Sequence, residues 1–262
     1  MIKLIVSDID GTLVRDGENQ LNTELFDVIM RLKKEKKIHF AAASGRQVAS
    51  IEYTFAPIGK EIFYVAENGA YLGCLGRNLF LYPMDQAAAA ELIEDIRKNP
   101  VMDMVVSGAK HAYMETKDQA FTDWVKNGYH FDVVPVDDVT KVDDVIIKVA
   151  AYKKSDIQKE AGFFFDKYGS RMKITISGDM WMDCMHTGVN KGEAVKTLQE
   201  SLGILPEETM VFGDQLNDIE MLNRAYYSFA VGSARKEVKE AARFQADTNV
   251  NVGVLKILKR LL

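Results

Sequence analysis

The 262-residue chain has only two cysteines, Cys74 and Cys184, and neither belongs to a CxxC pair. That excludes a disulfide framework and a cysteine-built zinc or redox centre, and leaves both thiols as buried apolar filler. No run approaches the roughly 20 apolar residues that a membrane-spanning helix needs. The N-terminal run Ile2 to Val6 is interrupted by Lys3 and followed by Asp8 and Asp10, which is too short and too acidic for a signal peptide. A cytoplasmic protein is therefore the expectation. Positive charge is not in excess: 33 Lys and Arg face 38 Asp and Glu, for a formal charge of -5. No global basic field exists to hold a nucleic-acid backbone or an anionic membrane, although a small anion can still be held locally. The chain also lacks a Walker A loop, a GxGxxG loop and an EF-hand calcium loop, so the usual nucleotide cradles are missing.

What is present is an ordinary globular composition, 47% hydrophobic and 27% charged, in a length that allows one or two domains and favours two. Short apolar strands alternate with amphipathic helices at the N-terminal end. Ile2 to Ser7 and Ile38 to Ala43 read as buried strands, Ile62 to Ala66 as a third, with helices from Asn22 and from Gln47 between them. That rhythm predicts a parallel α/β sheet with right-handed crossovers. Asn68-Gly69 then predicts a hairpin between Phe63 to Ala66 and Ala70 to Leu75. From Pro83 onward helices mix with strand pairs, predicting an inserted α+β module at 84–187. After Gly188 the first rhythm returns, with helices expected at Asn190 to Leu202, near Lys236 to Phe244 and at Val250 to Leu262. The expected organisation is a Rossmann-like α/β core, 1–83 and 188–262, interrupted by the insertion.

Four motifs fall where an expected strand or helix meets a loop, and in open α/β sheets ligands bind beyond the carboxyl ends of the strands. Asp8-Ile9-Asp10-Gly11-Thr12 ends the first strand; read alone, its Asp-Gly also suits a hairpin turn. Gly213-Asp214-Gln215-Leu216-Asn217-Asp218 ends another. Two acidic strand ends brought to one edge would repel and call for a cation, most naturally Mg²⁺ with its oxygen ligands, although Asp214 and Asp218 also suit helix capping. Ser44-Gly45-Arg46 places a hydroxyl, a free backbone and a cation before a helix, where phosphate oxygens can be held. Lys191, in Gly188-Val189-Asn190-Lys191-Gly192, can bring an ammonium to an anionic substrate. In isolation the last two motifs read as a Ser cap with a surface Arg and as an exposed lysine.

In this order the four motifs resemble the haloacid dehalogenase-like superfamily of phosphotransferases, whose hallmark is DxDGT, then Ser or Thr, then Lys, then an acidic GDxxND. Gly213 through Leu222, the Gly188 to Gly192 segment and Glu67-Asn68-Gly69-Ala70 look like the Cof-type phosphatase branch, with the large C2-type cap typical of it. Gln47 departs from the Pro common after Ser-Gly-Arg, and Ser233 from a common Asn. Neither touches the catalytic set.

The resemblance implies that Asp8 is a nucleophile forming an aspartyl-phosphate and that Asp10 is the general acid and base. It implies Mg²⁺ held by Asp8, Asp214 and the Asp10 carbonyl, with Asp218 direct or through water. Ser44 and Lys191 would hold phosphoryl oxygens, and Gly45, Arg46 and Asn217 would help bind phosphate or substrate. The cap would close over the crevice and select the substrate. The partner expected is a small phosphomonoester, sugar phosphates first, with no nucleic acid, membrane or obligate protein partner. Dehalogenation is disfavoured by Asp10. A phosphomutase of the phosphomannomutase type and a non-catalytic binder of phosphorylated metabolites remain the alternatives.

Overall fold

The first strand is buried along its whole length, and its first three residues are apolar, because it lies inside the sheet with a strand on either side. β1 (Leu4–Asp8) pairs in parallel with strands on either side, and Leu4, Ile5 and Val6 have no solvent exposure, each contributing about 1.5–3 kcal/mol by burial. This is a computed structural model, and it describes residues 1–15, 20–74, 76–177, 179–249 and 252–262. The expected strand end at Leu75 and the helix start at Val250 and Asn251 lie outside the described residues.

The described residues divide into two compact units, Met1–Phe80 with Asn190–Leu262, and Leu81–Val189. In the first, β1 is followed by α1 (Thr23–Lys36), β2 (His39–Ala43), α2 (Val48–Thr54), β3 (Phe63–Ala66), β4 (Tyr71–Cys74) and β5 (Arg77–Leu81). Helix α1 starts where Asn22 accepts the Glu24 N–H and buries Leu25, Val28, Ile29 and Leu32 on one face. The inserted unit holds α3 (Gln86–Arg97), β6 (Asp103–Gly108), β7 (Ala112–Met114), α4 (Gln119–Asp123), β8 (Val133–Pro135), β9 (Ile146–Tyr152), α5 (Gln158–Tyr168), β10 (Lys173–Ser177) and β11 (Trp181–Met185). The chain then returns through α6 (Lys191–Leu202), β12 (Thr209–Gly213), α7 (Ile219–Leu222), β13 (Tyr227–Ala230), α8 (Lys236–Ala241), β14 (Phe244–Gln245) and α9 (Gly253–Lys259).

The core sheet has the order β14-β13-β12-β1-β2-β3-β4-β5, parallel from β14 to β3 and antiparallel at β3 with β4. It is the expected α/β architecture, and the acidic motifs follow neighbouring strands β1 and β12. The Asp8–Gly11 segment is not a hairpin, since β1 has parallel partners on both sides. The β3–β4 hairpin forms, but its turn is a single 3₁₀ turn, Glu67–Gly69, with Glu67, Asn68 and Gly69 all at positive φ. The expected helix to Phe244 ends at Ala241, and Phe244 instead starts an edge strand beside β13. The segment β8 had no distinct sequence signal; its pairing with β7 is a tertiary choice.

The inserted unit has its own sheet, β10-β11-β9-β6-β7-β8. One face packs Met104, Val106, Val149, Ala151 and Met182 against helix residues such as Leu92, Ile96 and Phe164. On the other face, Val105, Ala112, Met114 and Ala150 meet Phe121 and Val125, which belong to α4 and the π-helical turn Trp124–Gly128 that continues it.

Candidate active site

Strand order does the assembling. Because β12, β1 and β2 lie side by side and run the same way, the loops after them share one edge, and the first residue of α6 reaches the same place. Lys191 is 1% exposed, and its Nζ donates to Asp8 Oδ1 at 2.5 Å and to Asp218 Oδ1 at 2.7 Å. One carboxylate oxygen from each of Asp8, Asp214 and Asp218 lies within 4.8 Å of the other two. Residues 183 positions apart in sequence are thus bonded in a buried cluster.

Each carboxylate is held differently. Asp218 Oδ2 accepts the backbone N–H groups of Asp214 and Gln215 at 2.8 and 2.9 Å, so Asp218 both caps its turn and pairs with the lysine. Asp214 accepts from Thr12 Oγ1 at 2.7 Å and from Gln215 Nε2 at 2.9 Å. Asp8 Oδ2 is buried with no hydrogen-bond partner. Burial, then the neighbouring Asp218, raises the Asp8 carboxyl well above the ordinary value, against the pull of Lys191. Burial likewise pushes Asp214 up to about 6. On Lys191 burial acts downward, but Asp218 and Asp8 outweigh it and hold the ammonium above the ordinary lysine value.

Three carboxylates against one ammonium leave a formal excess of two negative charges when all are ionised (three minus one). That excess, the oxygen-only donor set and the orphaned Asp8 Oδ2 all fit a hard divalent cation such as Mg²⁺. Two glycines make room for the cluster. Gly11 sits at φ +82, and a Cβ there would overlap the Asp214 carboxylate; a Cβ on Gly213 would come within 2.6 Å of Asp218.

The second layer of the site comes from the loop after β2. Arg46 grips the Asp10 carboxylate with both arms, Nε to Oδ2 at 2.8 Å and Nη2 to Oδ1 at 2.5 Å, and Nη1 also donates to Thr54. Ser44 Oγ accepts the Arg46 N–H at 3.1 Å. The loop is tied to the one after β3: Asn68 N donates to Ser44 O and Glu67 N to Arg46 O. A Cβ on Gly45 would sit 3.2 Å from the Asn68 amide. Asn217 Nδ2 donates to Asn68 Oδ1 at 2.9 Å.

All the expected site residues therefore lie in the core unit. Asp8, Lys191, Asp214 and Asp218 form the buried cluster, while Arg46 binds Asp10 and Asn217 binds Asn68. Sequence reasoning assigned no role to Thr12, Asn68 or Gln215. Thr12 and Gln215 stood inside the quoted motifs, but the Thr12 hydroxyl donates to a carboxylate 202 residues away, which leaves no mark on periodicity, and the Gln215 amide donates to the adjacent Asp214. Asn68 was legible as a turn residue and as part of the Glu67-Asn68-Gly69-Ala70 segment, not as a partner of Asn217.

Comparison with known proteins agrees with this geometry. The signature of the haloacid dehalogenase-like hydrolases matches residues 5–258. The chain is 31% identical to the 5-amino-6-(5-phospho-D-ribitylamino)uracil phosphatase YbjI of Escherichia coli strain K12, over 100% of this chain and 96% of that protein. It is 25% identical to the phosphatase of the same name, YcsE, from Bacillus subtilis strain 168, over 98% of this chain and 95% of the relative. A crystal structure from Eubacterium rectale superposes with a TM-score of 0.91 at 34% identity, covering 100% of this chain and 99% of the other. Among the described residues no helix is long and apolar enough to cross a membrane. With the fold, the acidic cluster and these relatives in agreement, the chain belongs to the haloacid dehalogenase-like hydrolases, as a phosphoric monoester hydrolase of the Cof-type branch.

Proposed function

We propose that the chain hydrolyses small phosphomonoesters, sugar and polyol phosphates first, in two steps through Asp8. The observation that carries this reading is the buried Lys191 bridging Asp8 and Asp218 beside Asp214. In the first step an Asp8 carboxylate oxygen attacks phosphorus, the bond from phosphorus to the ester oxygen breaks, and Asp10 gives that oxygen its proton. In the second, Asp10 takes a proton from water, the water oxygen attacks phosphorus, and the acyl phosphate bond breaks to return Asp8 and release inorganic phosphate. Lys191 fixes one Asp8 oxygen and supplies positive charge where the phosphoryl group adds negative charge.

Mg²⁺, held by Asp8, Asp214 and the Asp10 carbonyl, would when bound offset the repulsion between carboxylate and phosphate. Asp218 has one oxygen on Lys191 and the other on two N–H groups, which supports a positioning task rather than direct ligation. Ser44 and the Gly45 backbone are assigned to phosphoryl oxygens. Arg46 reaches substrate only by leaving Asp10, so its first task is to orient that carboxylate. Asn217, through Asn68, steadies the loop that carries Ser44. Residues 84–187 act as the cap that selects the substrate in the cytoplasm. Both named relatives act on a phosphorylated ribityl chain, which supports polyol phosphates as the class.

The test is phosphate release from p-nitrophenyl phosphate and a panel of sugar and polyol phosphates, with Mg²⁺ or EDTA, for wild type and Asp8→Asn. Release that requires Mg²⁺ and vanishes in the variant is expected. Folded wild-type protein that releases no phosphate from any of them overturns the reading.

A further inference from the structure

One hydrogen bond of the core unit spans its sheet. Asn217 follows β12 and Asn68 follows β3, and β1 and β2 lie between those strands, a separation of three strand spacings or about 14 Å. The bond from Asn217 Nδ2 to Asn68 Oδ1, 2.9 Å long, therefore draws both loops across the ends of β1 and β2, where Asp8 and Ser44 stand. The backbone around Asn68 is fastened to the same place. Asn68 N donates to Ser44 O at 3.0 Å, and Gly69 lies so close to the start of α6 that a Cβ there would come within 2.5 Å of Asn190 O, next to Lys191. Asn68 is 8% exposed. Among the described residues its Nδ2 donates to no protein group.

A turn accounts for only part of this arrangement. Asn68 has φ 55 and ψ 24, a left-handed conformation that asparagine tolerates. That conformation asks nothing of the carboxamide. Buried polar groups are ordinarily satisfied, yet this carboxamide uses its acceptor on a residue 149 positions away and keeps its donor idle at nine-tenths burial. The amide also lies against Gly45, where a Cβ would sit 3.2 Å from Asn68 Nδ2. Residue 45 has to be small for the donor to lie beside the backbone assigned above to phosphoryl oxygens.

The geometry points to Asn68 as a third phosphoryl-binding side chain beside Ser44 and Lys191, with Nδ2 donating to an oxygen of the transferred group while Oδ1 holds Asn217. This rests on the phosphatase reading above. A phosphoryl group presents charged oxygens in several directions; Ser44 approaches from the loop after β2, Lys191 from α6, and Asn68 from the loop tied to both. The bond to Asn217 fixes the plane of the carboxamide, so the donor needs no reorientation as charge builds on the oxygens. Being neutral, it leaves the balance between Lys191 and the three carboxylates unaltered.

The experiment measures kcat/KM for p-nitrophenyl phosphate and calorimetric binding of inorganic phosphate, both with Mg²⁺, in wild type, Asn217→Ala, Asn68→Gly and Asn68→Asp, with melts to establish that each variant is folded. Asn217→Ala and Asn68→Gly break the same bridge, but only the second removes the Nδ2 donor, and glycine keeps the left-handed backbone. The expected result is phosphate affinity and kcat/KM about 10–100-fold lower in Asn68→Gly than in Asn217→Ala, as for a lost hydrogen bond to a charged group. Asn68→Asp suits the same backbone and retains an acceptor for Asn217, yet it should bind phosphate no better than Asn68→Gly. A residue that merely steadies the loop predicts the opposite: equal losses in Asn217→Ala and Asn68→Gly, and phosphate binding within about threefold of wild type in Asn68→Asp. That pattern overturns the inference, and Asn68→Asp decides alone if Asn68→Gly does not fold. The two readings fail separately. Phosphate binding that depends on the Asn68 donor, in a wild type that releases no phosphate from any ester, keeps the contact and sinks the phosphatase. Turnover with phosphate binding indifferent to Asn68 does the reverse, and absence of both binding and turnover sinks both.

Discussion

Replacing Lys191 with methionine removes one charge from the most crowded electrostatic position in the core unit. The side chains are close in length and volume, so no sizeable cavity opens and the cost is electrostatic. Lys191 Nζ lies 2.5 Å from Asp8 and 2.7 Å from Asp218, and its loss leaves the three carboxylates together without their cation. Breaking a buried pair by deleting one partner costs about 3–5 kcal/mol. At about 2–4 °C per kcal/mol for a domain of this size, Tm in EDTA should fall by roughly 6–20 °C. The direction with pH follows from linkage. In wild type a lysine held above its ordinary value contributes fully below the unfolded value of about 10.4, so this stabilisation is flat between about pH 5 and 8. In the variant the crowded carboxylates take up protons on folding, so the deficit shrinks as pH falls toward about 5. Mg²⁺ should recover part of the loss by supplying positive charge, while phosphate release stays abolished. Calorimetric or circular-dichroism melts at two pH values, with EDTA and with Mg²⁺, decide the matter. A variant whose Tm stays within about 2 °C of wild type in EDTA refutes the proposed electrostatic balance.

Three further outcomes are expected. Gly11→Ala puts a Cβ into the Asp214 carboxylate at φ +82; it should cost about 1–3 kcal/mol in a urea titration and weaken Mg²⁺ binding, and a fully stable, fully active variant would contradict the close approach. Burial raises Asp214 to about 6, so in metal-free protein its contribution falls as pH rises from about 4 to 6, and Mg²⁺ must displace that proton. The Tm gain on adding Mg²⁺ should therefore grow from about pH 5 to 7, and a gain independent of pH would argue against this ligand. In the inserted unit, hydrogen bonds from Lys167, Tyr168 and Lys98 hold Asp95 below the usual carboxylate range despite burial. Asp95→Asn should lose about 1–2 kcal/mol near pH 7. Because the folded value is depressed, that contribution is complete above the unfolded value of about 3.9 and disappears as pH falls through the folded one, which urea titrations at neutral and acid pH can follow.

Local chemistry made much of the chain legible. The buried strands, the Asn22 and Asn190 helix starts and the acidic strand ends all depend on residues within a few positions of one another, so hydrophobic period and capping side chains suffice to read them. The family resemblance rests on the same short motifs. What the sequence alone determined, then, was the α/β class and the residue types available at each strand end. Tertiary structure alone decided which of them meet. Placing β12 beside β1 brought Asp214 and Asp218 to Asp8, and α6 inserted Lys191 as a buried bridge rather than the exposed lysine that its helix position suggests. It also gave Arg46 to Asp10, Thr12 to Asp214 and Asn217 to Asn68. Those pairings depend on strand order and on desolvation across long sequence separations, and neither is encoded in the spacing of neighbouring residues.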